Sequence, residues 1–453
     1  MSMIGQELRS SKKAMGDVMG NQALRRIFYA FAGSLIGDGV FTLSAAVYVF
    51  LHGGATAVGV LATVRYLAIA SAAPFTSTFA DQYDRKKVMV ASDLTRLVLV
   101  SGAAVCVGLH ASRFLIFALV VLVGVAGTAF RPAQASILPL LAREPDEIAG
   151  ANVVSSTIES VGFFAGPAVA GFLLALANVT IAFSFDALTF IWSALIVASV
   201  RPPRPEERSA ELVAHDAAPP STEERAQSFL VRAAKGFRTI REDRDVTILV
   251  VLYILQCVVA GASAVFTVAI ALRLLHIGSS GLGFMESTLG IGGLVGGFIA
   301  LVLSARARMA SDFGLGVMVW AAPLLLVAAF PHLWAALVSM WLIGAANSVV
   351  DVNAITVLQH IVPNERLGRT LGALEAGEIA GMALGSLAMT LCIDTIGLRP
   401  GLALIGGVIT LAVLPGFPAL RRIDRRAFAD GVTHPPRAHG HRHHLRIGPR
   451  MIR

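Results

Sequence analysis

Four ionisable side chains lie deep inside long apolar stretches of this sequence: Asp38, Arg65, Glu159 and Glu378. An unpaired charge in lipid costs several kcal/mol, so each of them is a candidate functional group. Burial favours the protonated form of a carboxyl group, which suits a proton carrier. Asp38 and Arg65 each lie about ten residues into their stretch, about 15 Å deep, and we expect them to contact each other. The alternative is a static ion pair that only offsets burial.

Membrane-spanning helices would position these groups, and the composition predicts such helices. The 453 residues are 55% hydrophobic and 15% charged, with a mean hydropathy of +0.72, whereas a soluble protein carries about a quarter charged residues. Apolar runs of about 20 residues, enough to cross a bilayer, predict twelve spans in an all-α integral membrane protein. In chain order, spans one to twelve are expected at about 29–51, 55–79, 90–110, 114–138, 148–176, 179–200, 246–272, 282–304, 311–330, 333–358, 369–392 and 400–420.

The spans fall into two sets of six that repeat each other. Glu159, Gly162 and Gly166 recur 219 positions later as Glu378, Gly381 and Gly385, and an Ala-Ser-Asp triplet recurs at the same shift. Two related bundles predict a cleft whose access changes sides. The predicted divisions are a cytoplasmic N-terminal segment 1–27, a six-helix bundle 28–200, a cytoplasmic linker 201–245, a second six-helix bundle 246–420 and a basic tail 421–453.

The charges predict the orientation. The net charge is +8, and most Lys and Arg residues lie between apolar runs on one side, whereas the loops of the other side hold Arg113, Arg273 and Arg399. Such a bias places both termini in the cytoplasm, and we expect the protein in the cytoplasmic (inner) cell membrane. The excess of Arg over Lys, with abundant Ala, Gly and Val, indicates a GC-rich bacterial genome. We expect lipid contact, no nucleic acid, no cofactor, no disulfide framework and a monomer. For the histidine-containing tail, we expect disorder rather than metal binding. Part of the linker, 226–244, is predicted to be an amphipathic surface helix.

Glycines four residues apart mark span five. Gly162, Gly166, Pro167 and Gly171 would line one helix face and let a neighbouring backbone approach closely. Pro167 also removes a backbone hydrogen bond and permits a bend. Plain helix packing is the alternative interpretation of the glycines alone.

Charged residues at the inner ends of spans predict conformational locks. Asp81, Arg85 and Lys86 follow span two, and Asp93 and Arg96 lie three apart on span three, hence on one face. We expect these five groups to form a cytoplasmic charge network that holds one conformation.

A second lock is predicted between the bundles. Arg131 and Asp351 lie near the cytoplasmic ends of spans four and ten, which are counterparts in the repeat. We expect them to approach each other when the cytoplasmic side closes, and to lie apart when it is open.

The chain resembles the major facilitator superfamily over residues 28–420. Asp81, Arg85 and Lys86 match its loop motif G-x-x-x-D-R-x-x-R-K, and the span-five glycines with Pro167 match its antiporter motif G-x-x-x-G-P-x-x-G-G. The Phe130-Arg131-Pro132-Ala133 segment is similar to the branch of macrolide efflux and enterobactin export proteins. The resemblance implies a substrate cavity walled mainly by spans one, four, seven and ten. Candidate wall residues are Phe41, Tyr48, Tyr253, Gln256, Phe266, Trp341, Asn347 and Asn353.

These features favour a secondary transporter, with proton-coupled efflux of a small amphipathic compound such as a drug, siderophore or lipid-like metabolite. An importer or uniporter of the same fold, and a sensor or scaffold that binds without transporting, remain alternatives. The sequence contains no Walker loop, nucleophile elbow, His–Glu metal motif or Rossmann fingerprint, so an enzyme is not expected.

Overall fold

The structure, a computed structural model, describes residues 16, 18–201, 238, 240–304 and 308–428. This part of the chain is helical apart from short connections. The predicted surface helix 226–244 lies largely outside the described residues, and the histidines of the tail lie wholly outside them. The helices are Gln22–Gln82, Arg85–Gly108, Arg113–Gly127, Phe130–Leu141, Pro145–Leu176, Val179–Ser199, Arg244–Ala269 with a π-helical turn Ile270–Leu274, Gly278–Ser304, Met309–Ala321, Pro323–Ala329, Leu333–Ile361, Asn364–Thr395, Leu398–Val413 and Phe417–Phe428.

Eleven helical stretches in the described residues are long and apolar enough to cross a membrane. The first is 52 residues long, more than twice what one crossing needs. It breaks at Gly54, whose φ of 69° and ψ of −166° are accessible to glycine and strained for other residues. The predicted spans one and two are the two parts of this helix on either side of Gly54. We keep the predicted span numbers below, although the count of twelve stays a prediction.

Successive spans run in opposite directions, so the molecule has two ends. The Gly54 end holds Gly54 and the connections 109–112, 177–178, 275–277, 330–332 and 396–397. The terminus end holds Gln22, Phe428 and the connections 83–84, 142–144 and 362–363. The charge bias predicts that the terminus end is cytoplasmic.

Equivalent helices pack in equivalent ways in spans one to six, the N half, and spans seven to twelve, the C half. Span five lies against span one where a Cβ on Gly39 would come within 2.9 Å of the Gly166 Cα. Span eleven lies against span seven in the same manner, since a Cβ on Gly385 would collide with the backbone at Val258. The sequence repeat is therefore matched by a repeat of helix packing.

The two halves meet from the Gly54 end to about mid-depth. The Thr56 hydroxyl donates to the Asp394 carboxylate at 2.9 Å, and the Thr63 hydroxyl lies 2.8 Å from that of Ser386. Span five also meets span eight there, because a Cβ on Gly171 would lie 2.7 Å from the Gly283 Cα. Buried apolar side chains of both halves form one continuous core. The protein is thus sealed between its halves at the Gly54 end.

The terminus end is held by ties inside each half. In the N half, the Asn21 amide donates to the Leu141 carbonyl at 2.9 Å. In the C half, Arg426 pairs with Asp243 at 2.9 Å, next to the start of span seven. Burial alone would raise the pKa of Asp243, but hydrogen bonds from the Arg426 guanidinium and the Asp245 amide outweigh it and hold that pKa below its usual value. These ties fix the ends of the helices without joining the halves.

Candidate functional site

A cavity of about 300 Å³ lies where the C half meets spans two and five. Its lining includes four aromatic side chains and three carboxyl groups, and none of the described residues that line it is basic. Its size is at the lower edge of the range for small-molecule sites, and its mixed lining is typical of them. The wall residues used below are Tyr66, Phe163, Tyr253, Gln256, Glu286, Trp320, Asn347, Asp351 and Glu378.

One hydrogen-bond network orders the polar wall of this cavity. The Tyr253 hydroxyl donates to one Asp351 oxygen at 3.3 Å, and the Asn347 amide donates to the other at 3.0 Å. The Asn347 oxygen in turn accepts from Gln256 at 3.1 Å and from the Trp320 ring nitrogen at 3.0 Å. Asp351 therefore has neutral donors around it and no cation among these contacts. Such a wall can accept a proton or face a positively charged group of a ligand.

Three of the eight predicted wall residues, Tyr253, Gln256 and Asn347, line this cavity. The other five lie elsewhere. Phe41 and Tyr48 lie in the core of the N half, where their ring centroids are 4.7 Å from that of Phe183 and 4.2 Å from that of His52, respectively. Phe266 lies in the core shared by both halves, and Trp341 lies where spans eight and ten meet. Asn353 is fully buried in span ten.

A second polar site, the carboxylate cluster, lies inside the N half. The Arg96 guanidinium donates to Asp93 at 2.6 Å and to Asp38 at 3.0 Å, and the Ser193 hydroxyl donates to Asp93 at 2.6 Å. Arg96 and Asp93 are buried, and the phenyl rings of span four and span six lie 5.1 Å and 4.3 Å from the guanidinium carbon. The predicted pair on one face of span three is therefore present, but it lies among the spans and not in a loop network.

Arg65 was expected to be the partner of Asp38, and Arg96 takes that place. Arg65 lies instead against span four, where a Cβ on Gly124 would come within 3.0 Å of its Nε. That Nε is buried without an acceptor among the described residues. The predicted depths of Asp38 and Arg65 did not determine the directions in which the two side chains point.

Glu159 and Arg131 form an ion pair in the N half, with 2.7 Å between Oε1 and Nη2. Both are accessible, with 35% and 62% of their side chains exposed. Asp351 lies in the other half, in the cavity network. The predicted latch between Arg131 and Asp351 is therefore not formed in this conformation, and it stays a prediction for a state closed at the terminus end.

The remaining predicted groups lie near the helix ends or at helix contacts. Asp84, next to the predicted loop network, caps span three by accepting from the Lys87 amide at 3.0 Å. Lys86 donates to the Val200 carbonyl at 2.8 Å. The side chain of Asp81 lies outside the described residues. The Arg85 Nε is buried without an acceptor in the described part of the chain, whereas Asp93 and Arg96 bond to each other, to Ser193 and to Asp38.

The glycines of span five serve close helix packing. Gly162 lies against Leu35 and Gly166 against Gly39 of span one, whereas Gly171 lies against Gly283 of span eight. Pro167 is accommodated inside the continuous helix Pro145–Leu176. These contacts favour the packing interpretation, and they place the end of the motif at the junction of the two halves.

Sequence reasoning missed three groups. Asp186, in span six, is fully buried beside span one. Glu286 lies in span eight, whose helix begins at Gly278, a turn earlier than predicted, and it lines the cavity. Tyr66, next to Arg65, also lines it. For Asp186 and Glu286, the presence of a carboxyl group within an apolar run could have indicated a functional position.

Among the described residues, no group of three or more His, Cys, Asp or Glu side chains is arranged to hold a metal ion. The three cysteines are unpaired.

Comparisons with known proteins agree on the family. The family described as Major Facilitator Superfamily matches residues 27–311 and 311–439. Macrolide efflux protein A of Streptococcus pyogenes is 22% identical over 383 residues, which cover 82% of this chain and 90% of that protein. The protein of the same name from Enterococcus faecalis is 25% identical over 150 residues, or 32% of this chain and 46% of that protein.

Solved structures show the same fold. The nucleoside transporter NupG has a TM-score of 0.68 at 14% identity, with 89% of this chain and 99% of that chain covered. A bacterial homolog of the human lysosomal transporter Spinster, inward-facing and unoccupied, has a TM-score of 0.64 at 16% identity, with 91% and 94% covered. At such identities the likeness concerns the fold alone.

Proposed function

This chain belongs to the Major Facilitator Superfamily, and we propose that it is a proton-coupled exporter of a small amphipathic compound. A multi-pass transporter of this family is not an enzyme, and its work is to carry a small molecule across the membrane. We propose four properties beyond family membership: export as the direction, protons as the coupling ion, the cytoplasmic membrane as the location, and a cytoplasmic position for both termini.

The observation that carries the proposal is the cavity, whose described lining holds three carboxyl groups and no basic residue. Glu286, Asp351 and Glu378 line it together with Tyr253 and Trp320. Aromatic faces accept the apolar part of a ligand, and a carboxylate without a cation favours a proton or a positively charged ligand group. One site that accepts either species suits an exchange of protons for substrate.

The seal at the Gly54 end supports transport by alternating access. The Thr56–Asp394 and Thr63–Ser386 contacts join the halves at that end and down to mid-depth. At the terminus end, the Arg131–Glu159 pair stays inside the N half and is accessible. If the terminus end is cytoplasmic, this conformation receives substrate from the cytoplasm. The name of the Streptococcus pyogenes relative, a macrolide efflux protein, supports export and a bulky amphipathic substrate.

Reconstitution in proteoliposomes tests the proposal. An acidic lumen should drive uptake of a radiolabelled macrolide against its gradient, because protons leave as substrate enters. Glu378→Gln and Asp351→Asn should abolish gradient-driven uptake, whereas Glu144→Gln, a change at an exposed residue of the connection 142–144, should leave it intact. Uptake that ignores the imposed gradient would instead indicate a uniporter, and tight binding without any uptake would indicate a sensor.

The acids named from the sequence divide between the two sites. Glu378 belongs to the cavity, Asp38 to the carboxylate cluster, and Glu159 pairs with Arg131. We propose that Asp38→Asn and Glu159→Gln weaken the response to the pH gradient. Both variants leave the cavity wall intact, so substrate binding measured by scintillation proximity should stay within about twofold.

A further inference from the structure

Asp186 lies in span six and belongs to no contact that the proposed function uses. Its side chain is fully buried, and one oxygen accepts from the Thr189 hydroxyl at 3.2 Å. The other oxygen is buried with no donor among the described residues. A carboxylate buried without a cation or sufficient donors is costly, so the group is expected to bind a proton instead of carrying a charge.

A glycine in span one, Gly37, leaves the space that the Asp186 carboxyl group occupies. A Cβ at Gly37 would collide with the Asp186 side chain and with the Thr189 hydroxyl. Any larger residue at position 37 would therefore push span one away from span six. Because Asp38 follows Gly37 directly, the close approach also brings Asp186 next to the carboxylate cluster.

Charged groups from two neighbouring spans act on Asp186. Asp38 comes from span one, and Asp93 and Arg96 come from span three; within span six itself, Thr189 is its hydrogen-bond partner. Asp186 is thus a third carboxyl group near the Arg96 guanidinium, which pairs with Asp38 and Asp93. The net charge of these side chains is −2 when all three carboxyl groups are ionised and −1 when one of them carries a proton, so one bound proton relieves the repulsion.

Arg96 divides its donors unequally between these acids. Its two terminal nitrogens bind Asp93 and Asp38, whereas its Nε is buried without an acceptor among the described residues. One donor is therefore left over in the same group in which one carboxyl oxygen of Asp186 has no partner. Asp38 is the accessible member, with 39% of its side chain exposed.

We propose that Asp186 and Asp38 form a proton-binding site in which a single proton passes between the two carboxyl groups while Arg96 exchanges one for the other. In the conformation described, Asp186 holds the proton and Asp38 pairs with Arg96. In the exchange, the O–H bond of Asp186 breaks and an O–H bond forms on Asp38. The negative charge moves to Asp186, the guanidinium follows it, and Asp38 can release its proton to water. The site would hold a coupling proton in addition to the one accepted at the cavity, and it rests on the proposed function only for its use in transport.

Infrared spectroscopy of protein labelled with ¹³C-aspartate tests the site without any substrate. At pH 7 the wild-type spectrum minus the Asp186→Asn spectrum should contain the C=O band of a protonated aspartic acid, whereas a proton on Asp351 contributes equally to both spectra and cancels. Asp84→Asn is the matched control, because asparagine caps a helix as well as aspartate does, and it should keep the band. A difference spectrum without this band overturns the proposal.

A second variant tests the exchange and covers the case in which Asp186→Asn does not fold. Asp38→Asn replaces the charged partner of Arg96 by a neutral amide, so the guanidinium is drawn toward the Asp186 carboxyl group instead. The band should then disappear although Asp186 is still present, since Asp186 becomes ionised. A carboxyl group that is protonated only because it is buried would keep its band in Asp38→Asn, and that result overturns the exchange.

Transport in the same preparations separates this site from the proposed function. If the band follows the pattern above and macrolide uptake ignores the pH gradient, the site is supported and the antiport fails. If uptake follows the gradient and the band is unchanged in both variants, the antiport is supported and this site is not its proton carrier.

Discussion

The contact of Gly171 with Gly283 predicts a shift in conformation when either residue gains a side chain. A Cβ on Gly171 would lie 2.7 Å from the Gly283 Cα, where ordinary contact begins at 3.4 Å, so the two backbones must separate by about 0.7 Å. Overpacking of this kind costs about 1–3 kcal/mol. The contact joins the two halves near the Gly54 end, so in Gly171→Ala the cost should fall on the conformation closed at that end. The population of that conformation should decrease by a factor of about 5 to 150 relative to the alternative.

Distances between pairs of spin labels can measure this shift. One pair joins the connections 109–112 and 330–332 at the Gly54 end, and the other joins 142–144 and 362–363 at the terminus end. Gly171→Ala should lengthen the first distance and shorten the second. Gly297→Ala is the control in span eight, since a Cβ there meets nothing within 4 Å. Distributions unchanged in Gly171→Ala, with the protein folded, would refute the view that this contact belongs to one conformation.

Three further predictions concern stability, measured by thermal unfolding in detergent. Gly54→Ala should destabilise by about 1–3 kcal/mol because its backbone angles are strained for alanine; a wild-type melting temperature would contradict this. Arg96→Met should cost about 3–5 kcal/mol, since it leaves the buried Asp93 carboxylate without its cation, whereas Arg131→Met breaks an accessible pair and should cost at most about 1 kcal/mol. The lowered pKa of Asp243 gives stability that is present above its unfolded pKa of about 3.9 and is lost as the pH falls through its lower folded pKa. Asp243→Asn should therefore reduce the loss of stability on acidification, and an unchanged acid profile would contradict the assignment to Asp243.

The positions of the spans could be predicted because apolar length is a strong signal. The predicted span 148–176 is the helix Pro145–Leu176, and the predicted span 333–358 is the helix Leu333–Ile361. The repeat of Glu159 and its glycines at Glu378 also predicted the matched packing of spans five and eleven. Gly54 was not recognised as a joint, since its role depends on a backbone angle and not on hydropathy.

The directions of the charged side chains could not be predicted. Sequence gives the depth of a residue in the membrane, and Asp38 and Arg65 have similar depths, but rotation about the helix axis sends Arg65 toward span four. Burial of Asp186 depends on the missing side chain at Gly37 in another span. Phe266 was a candidate wall residue from the family resemblance, and it is fully buried in the shared core instead.

The joint at Gly54 has a consequence for how the two sites communicate. Span one carries Asp38, span two carries Thr56 and Thr63, and a single residue connects the two helices. A flexible loop between them would absorb any tilt of span one, whereas one residue transmits it. A tilt of span one that follows a change of partner at Asp38 would therefore also tilt span two. That tilt would displace the Thr56 and Thr63 hydroxyl groups, which join the two halves.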